Sequence, residues 1–331
     1  MKWLLVSLFV LLAACAMVDT TPDAPHDPTR PAYRPQQASA SAVDEQCVGS
    51  PPTNVGAFRH RRNRMYAALG EPSHRGIDLI ASHGDATQTI AGKLAYTAAD
   101  KDLSDEYVTL FACVDHRWSP LGRATTDGDG RFALTLTGPR RLPVGMRDLL
   151  AQVPGDGREM RFLAYVSAPN EHVVVTDIDG TLTQSENAIV GAVLAGKQIE
   201  HRWNAPAALQ RSRRPIVYVT ARGDQLTEST RGWLREHGFP RGPMRLAPQL
   251  LVPPGPAQRD FKTMTLRALG VPIVAGIGNR ATDILCYRDI GLAPERIFIH
   301  LTELEPEVRQ EIAAGRARGF RDYRDLASLL P

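Results

Sequence analysis

The tightest constraint on this chain is the run His172-Val-Val-Val-Thr-Asp-Ile-Asp-Gly-Thr-Leu-Thr183. Val173, Val174 and Val175 are β-branched and continuously apolar between polar neighbours, the pattern of a parallel strand buried on both faces. Asp177 and Asp179 then stand at its carboxyl end, the edge of an open α/β sheet where ligands bind. Gly180 lets the chain turn tightly enough to keep both carboxylates on one crevice. Two carboxylates so close repel each other unless a cation or a phosphoryl group lies between them, so the pattern fits magnesium and a phosphate ester.

Beyond this strand, helical and strand patterns alternate. Segments 188–196, 205–213, 225–237, 259–269 and 281–289 read as helices, and Ile216–Thr220, Ile273–Gly278 and Ile297–His300 as strands. The alternation predicts a doubly wound parallel sheet over 171–331. About thirty residues separate Thr183 from the second strand, too few for a large cap over the site, which leaves room for bulky or membrane-embedded substrates.

Phosphoryl transfer needs donors for the equatorial oxygens, a fixed cation and metal ligands. The strand Ile216-Val-Tyr-Val-Thr220 ends in Thr-Ala-Arg, which puts the Thr220 hydroxyl and the Arg222 guanidinium at the same edge as Asp177. Arg222 reads equally well as a phosphate contact or a surface arginine. The chain has five lysines against thirty-four arginines, and only Lys197 and Lys262 follow the nucleophile strand. Lys262, near the start of a helix, is placed to pair with Asp177 and phosphoryl oxygens; Lys197 reads as a surface lysine at a helix end. The run Ile273-Val-Ala-Gly-Ile-Gly-Asn-Arg-Ala-Thr-Asp283 is a strand opening through glycine into a helix, with Asp283 in its first turn, within reach of a metal directly or through water.

Ahead of this region the pattern changes. Residues 76–168 carry short strands between turns, the first of them Ile77-Asp-Leu-Ile-Ala-Ser82, which predicts a β-sandwich of immunoglobulin-like or transthyretin-like type within a domain spanning 54–170. The turn Thr126-Asp-Gly-Asp-Gly-Arg-Phe132 lacks the further ligands of a calcium loop and reads as a hairpin. A short helix over about 54–69 gathers Arg59, Arg61, Arg62 and Arg64, more simply a solvated basic face than a lipid contact. Residues 16–53 are rich in Pro, Ala, Ser, Thr and Asp without apolar periodicity, and read as a disordered tether.

Residues 1–15, MKWLLVSLFVLLAAC, carry Lys2, an apolar stretch and small residues before Cys15, the pattern of an export signal too short to span a membrane. Leu12-Ala13-Ala14-Cys15 looks like a bacterial lipobox. That resemblance implies cleavage before Cys15 and its acylation, hence an envelope protein on the periplasmic side of the outer membrane, since Ala16 and not Asp follows. An oxidising compartment permits one disulfide. Cys47 and Cys113 are the pair outside the later domain, and two free thiols fit the spacing equally well. Cys286, among Ile284, Leu285 and Tyr287, reads as core. The net charge of +3 and the absence of a Lys/Arg block give no reason for a nucleic-acid partner, and nothing points to a protein partner.

Asp177 to Leu182 match at every position the D-x-D-G-T-[LIV] motif of the haloacid-dehalogenase (HAD) superfamily, which this region resembles. The resemblance implies a HAD-like fold and an aspartyl-phosphate mechanism. Asp177 would be the nucleophile and Asp179 the acid–base group, with Thr220 and Lys262 in the second and third motifs. Gly180, Thr181 and Arg222 would lie on the substrate phosphate, and Asp177, Asp179, Asn279 and Asp283 around Mg2+. The usual fourth motif has an acid where Asn279 stands, which leaves a direct ligand role for Asn279 open. Gly278-Asn-Arg-Ala-Thr-Asp283, Thr230-Arg-Gly-Trp-Leu234 and Pro240-Arg-Gly-Pro243 resemble the lipin type of phosphatidate phosphatase over about 172–325. The same region resembles the C-terminal domain of phosphatidylinositol-transfer proteins of the retinal-degeneration type, thought to bind phosphatidate without hydrolysing it. The expectation is magnesium-dependent hydrolysis of a lipid phosphate, most simply phosphatidate. The alternatives are a non-catalytic phosphatidate- or phosphoinositide-binding module and a HAD phosphatase of soluble periplasmic esters.

Overall fold

The computed structural model describes residues 43–52, 55–184, 199–249 and 252–331. The expected signal, with Cys15, and the expected tether up to residue 42 lie outside them, as do Lys197 and the helix expected over 188–196. Residues 43–52, expected in the tether, belong instead to the sandwich, where a strand and a disulfide fix them.

The first half is a β-sandwich. In chain order it contains β1 (Asp44–Glu45), α1 (Arg61–Leu69), β2 (Arg75–Ile77), β3 (Leu79–Ser82), β4 (Thr87–Lys93), β5 (Ala95–Tyr96) and β6 (Lys101–Asp102). There follow β7 (Tyr107–Val114), β8 (Arg117–Thr125), β9 (Arg131–Thr137), β10 (Gly145–Val153) and β11 (Arg158–Ser167). One sheet runs β3-β11-β10-β7-β8 with β1 beside β10, and the other runs β2-β4-β9. Inward side chains from both sheets, among them Ile90, Leu110, Leu136, Leu149 and Phe162, form one core, as aligned sheet packing requires. Cys47 and Cys113 are bonded, tying the segment that carries β1 to β7.

Two sequence expectations change here. The run Ile77-Asp-Leu-Ile-Ala-Ser82 is not one strand: buried Asp78 separates β2 in one sheet from β3 in the other. The Thr126–Phe132 turn is not a hairpin, because β8 and β9 belong to different sheets; Asp127 closes the crossing by accepting from the N–H groups of Asp129 and Arg131, each at 2.9 Å. Alternation marks strands in a sequence but does not say which sheet each joins.

The second half contains β12 (Val173–Thr176), α2 (Ala205–Gln210), β13 (Ile216–Gly223), α3 (Thr227–Glu236), β14 (Met244–Ala247), α4 (Pro256–Arg267) and β15 (Ile273–Gly278). It ends with α5 (Ala281–Asp289), β16 (Ile297–His300), α6 (Glu305–Ala313), β17 (Arg318–Phe320) and α7 (Tyr323–Ala327). Its six strands lie in the order β14-β13-β12-β15-β16-β17, and every neighbouring pair is parallel. Val174, Tyr218, Ala275 and Phe298 face α2, α3 and α7 through Leu209, Trp233 and Leu326. Val173, Val175, Val217 and Ile299 face α4, α5 and α6 through Leu266, Ile284 and Val308, and that core extends to Ile80, Met146, Leu163 and Tyr165 of the sandwich. With both faces covered, a strand reads as an unbroken apolar run, which is why Val173–Val175 carries no alternation. The short edge strands β14 and β17 carry no such run and escape a sequence reading.

Candidate active site

The chain reverses its direction of travel across the sheet at β12, whose neighbours are β13 on one side and β15 on the other. A crevice opens at the carboxyl ends of strands at such a point. Asp177 follows β12 directly, and its N–H donates to Ile277 O at 3.0 Å, so the nucleophile candidate extends the ladder with β15. The chain then turns at Gly180, whose φ of +70° is left-handed and favours glycine.

Lys262 points from α4 into the crevice. Its Nζ lies 3.1 Å from Asp177 Oδ1 and 2.7 Å from Asp283 Oδ1, and all three side chains are buried. Asp283, in the first turn of α5, accepts through Oδ2 from the N–H groups of Asn279 (3.0 Å) and Arg280 (3.1 Å), so it caps the helix while it fixes the lysine. The Thr181 hydroxyl donates to Asn279 Oδ1 at 3.0 Å and lies 3.5 Å from Asp177 Oδ2. Burial pushes the Asp177 carboxyl up to about 7; Lys262 pulls it down, and Asp283 and Asp179 add to the rise. For Lys262 burial disfavours the charge, but Asp177 and then Asp283 outweigh it and hold the ammonium protonated above its ordinary range.

Asp179 is held separately. The Arg222 Nε reaches its two oxygens at 3.1 and 2.9 Å, Arg222 Nη2 reaches Oδ1 at 2.7 Å, and the Thr220 hydroxyl donates to Oδ2 at 3.1 Å. Arg222 is itself fixed by donating to Thr230 Oγ1 at 3.1 Å and lies over the Trp233 ring. The sequence placed Arg222 on a phosphate or at the surface; here it is buried and grips Asp179. The Gly180 N–H, also expected on the phosphate, donates to Thr183 Oγ1 at 2.9 Å.

The sequence reading missed the groups that brace the turn from behind. Buried Arg202 donates to Gly180 O at 3.3 and 3.2 Å and pairs with Glu303, while Tyr323 Oη donates to Thr181 O at 2.6 Å. No local pattern marks either one, since each acts across a long stretch of chain.

The crevice thus brings together Asp177, Asp179, Gly180, Thr181, Thr220, Arg222, Lys262, Asn279 and Asp283. The side-chain atoms there that could ligate a metal are oxygens, the chemistry of a hard cation, and one lysine faces Asp177 and Asp283 together. The ligand set expected around magnesium is nonetheless not assembled as a shell. Among the described residues no three acidic, histidine or cysteine side chains converge as one would. Asp179 is committed to Arg222, and Asp283 to Lys262 and two amides. In chemical terms the site offers a buried, cation-flanked carboxylate and, two residues on, a second carboxylate fixed by its own guanidinium.

Comparison with known proteins matches both halves to one set of domains. Residues 174–300 match the family model described as the PITM 1-3 LNS2 domain, and residues 72–166 the PITM 1-3 beta-sandwich domain. Among curated proteins, the chain is 28% identical over 274 residues to membrane-associated phosphatidylinositol transfer protein 3 of Mus musculus, covering 78% of this chain and 27% of that protein. It is 33% identical over 188 residues to phosphatidic acid phosphohydrolase 1 of Saccharomyces cerevisiae, covering 46% and 21%. To the human phosphatidate phosphatase LPIN3 it is 31% identical over 153 residues, covering 39% and 18%. The chain spans about a quarter or less of the length of these relatives. Among solved structures, the flavohemoglobin of Malassezia yamatoensis aligns at 12% identity over 70% of this chain and 59% of its own, with a TM-score of 0.21, too low to carry an argument.

Proposed function

We propose that this chain is a phosphatase of lipid phosphates, acting most simply on phosphatidate to release diacylglycerol, on a HAD-like doubly wound sheet. The observation that carries the reading is that Asp177 and Asp179, two residues apart, are held by different cations for different work. Asp177 lies against Lys262, and Asp179 lies in the fork of Arg222. The similarity to phosphatidate phosphatases supports the substrate class.

In this mechanism an Asp177 oxygen forms a bond to phosphorus as the bond from phosphorus to the glycerol oxygen breaks. Asp179, which takes up a proton from solvent before the attack, gives it to that leaving oxygen. The acyl phosphate on Asp177 is then cleaved by water, whose proton returns to Asp179, and inorganic phosphate departs. Lys262 holds the Asp177 oxygens in line and faces the charge on the phosphoryl group. A bound magnesium ion would supply further positive charge at this site. Asp177, Asn279 and Asp283 are the side chains that would hold it, Asp283 only by giving up its bond to Lys262, and the Asp179 side chain stays with Arg222.

A second reading has its own support. The family models that match are those of phosphatidylinositol-transfer proteins, and Asn279 replaces an acid, so the crevice would bind phosphatidate or a phosphoinositide without turnover. Phosphate release from phosphatidate in detergent micelles, with and without magnesium, separates the two. Turnover lost in Asp177→Asn supports the enzyme; liposome binding with no turnover supports the binding module, and faster turnover of small phosphomonoesters would move the substrate to soluble esters.

The proposal extends to location: export, acylation at Cys15 and attachment to the cell envelope, with the lipid surface as partner. The Leu12–Cys15 pattern supports this, and so does the Cys47–Cys113 bond, which persists in oxidising compartments. Incorporation of labelled fatty acid, lost in Cys15→Ser, is the test.

A further inference from the structure

Asp78, the single residue between β2 and β3, belongs to the sandwich and reaches deep into the other domain. Its Oδ1 accepts from Leu163 N–H at 2.8 Å within the sandwich, and its Oδ2 accepts from Met244 N–H at 2.7 Å at the start of β14. Arg231 on α3 brings Nη2 to both oxygens, at 2.8 and 2.9 Å, and Arg245 donates to the Asp78 carbonyl at 2.6 Å. Three residues earlier, Arg75 is gripped by Asp100 at 2.7 and 2.8 Å and places Nε 2.8 Å from Asp224.

Asp224 and Arg231 bracket the segment that fixes the acid–base candidate. Asp224 lies two residues after Arg222, and Arg231 adjoins Thr230, whose hydroxyl oxygen accepts from the Arg222 guanidinium that grips Asp179. One side of segment 222–231 therefore grips Asp179 while the other is ion-paired to the sandwich at both ends. A cavity of 650 Å3 walled in part by Arg75, Asp78, Asp224 and Arg231 lies beside these ion pairs, so on that side the segment meets the sandwich through them.

We infer that the sandwich edge Arg75–Asp78 positions the acid–base carboxylate: Arg75 and Asp78 act through Asp224 and Arg231 on Arg222, and through Arg222 on Asp179. The inference rests on the phosphatase reading of Asp179. It gives the sandwich a part in the chemistry without any contact to substrate, because small displacements of a reacting group cost far more rate than binding.

The test uses the full chain carrying Arg231→Gln, Arg231→Lys or Asp224→Asn, with two readouts: phosphate release from phosphatidate micelles with magnesium, and amide hydrogen exchange over residues 222–231. Arg231→Gln and Asp224→Asn are expected to lower kcat by about 10- to 100-fold with KM within about twofold. Both should also speed exchange in 222–231, while Arg231→Lys recovers most of the rate. Unchanged kcat and exchange in both removing variants would overturn the inference, as would an Arg231→Lys protein no better than Arg231→Gln. Because Arg231→Gln strands a buried carboxylate and can fail to fold, Asp224→Asn, which leaves the Asp78–Arg231 pair intact, decides the matter alone. A wild-type protein that releases no phosphate removes the phosphatase reading, and the exchange readout still decides whether the sandwich holds the segment.

Discussion

Asp283 and Lys262, twenty-one residues apart in sequence, meet at 2.7 Å on neighbouring helices, and the same ammonium lies 3.1 Å from Asp177. One cation thus joins the turn after β12, helix α4 and the start of α5. Lys262→Met leaves both carboxylates buried without their partner. The expected result is loss of phosphate release and a stability loss of about 3–5 kcal/mol, measured by urea unfolding at neutral pH.

Arg222→Met frees Asp179 from its fork while Asp177 and Lys262 stay paired. Turnover should fall by roughly 10²- to 10⁴-fold, the worth of a positioned acid–base group, with KM little changed. Steady-state kinetics on micellar phosphatidate checks this, and a KM effect alone would instead return Arg222 to the substrate phosphate.

Gly278→Ala tests the approach of β15 to α5. A Cβ there would lie 2.5 Å from Asp283 Cβ, with no flexible chain end to give way. The expected cost is about 1–3 kcal/mol of overpacking, together with loss of activity as Asp283 is pushed off Lys262. Thermal unfolding and a phosphate-release assay read the two effects separately.

Removing the disulfide by Cys47→Ala with Cys113→Ala opens a link across 66 residues of chain. Chain entropy makes this worth about 4 kcal/mol. Denaturant midpoints with unchanged m-values would show the loss, while the activity of the remaining folded protein stays at the wild-type level because neither cysteine touches the crevice.

Cys286, three residues after Asp283, gives a pH dependence set chiefly by its burial, with Asp283 adding to the rise and Lys262 opposing it. Burial pushes its thiol up to about 11 from an ordinary value near 9. Between those values the unfolded chain loses the proton and the folded one keeps it, so this group's contribution is intact below pH 9 and declines as pH rises towards 11. Mass mapping of alkylated peptides at pH 8 should find Cys286 modified only after unfolding.

What the sequence makes legible follows from how local each device is. Asp177, Asp179 and Gly180 lie within four residues, and the strand before them is written in three valines. Lys262 stands out because so few lysines exist, and Asp283 because a glycine-opened helix start announces it. Arg202 and Tyr323 brace the same turn from 22 and 142 residues away, and Asp78 meets Arg231 across 153. Pairings of that reach leave no trace in spacing. The division of β2 from β3 at Asp78 escapes for a related reason: Ile-Asp-Leu-Ile reads as one strand until a partner is found for the carboxylate.

The bond from Asp177 N–H to Ile277 O makes the proposed nucleophile a rung of the central ladder. Slipping β12 by one residue against β15 would turn every side chain of the strand to the opposite face and carry Asp177 away from Lys262. Assembly of the sheet and competence of the site are therefore one event. A molecule that pairs its central strands wrongly is silent rather than partly active, so activity per molecule should report the fraction of chains in correct register.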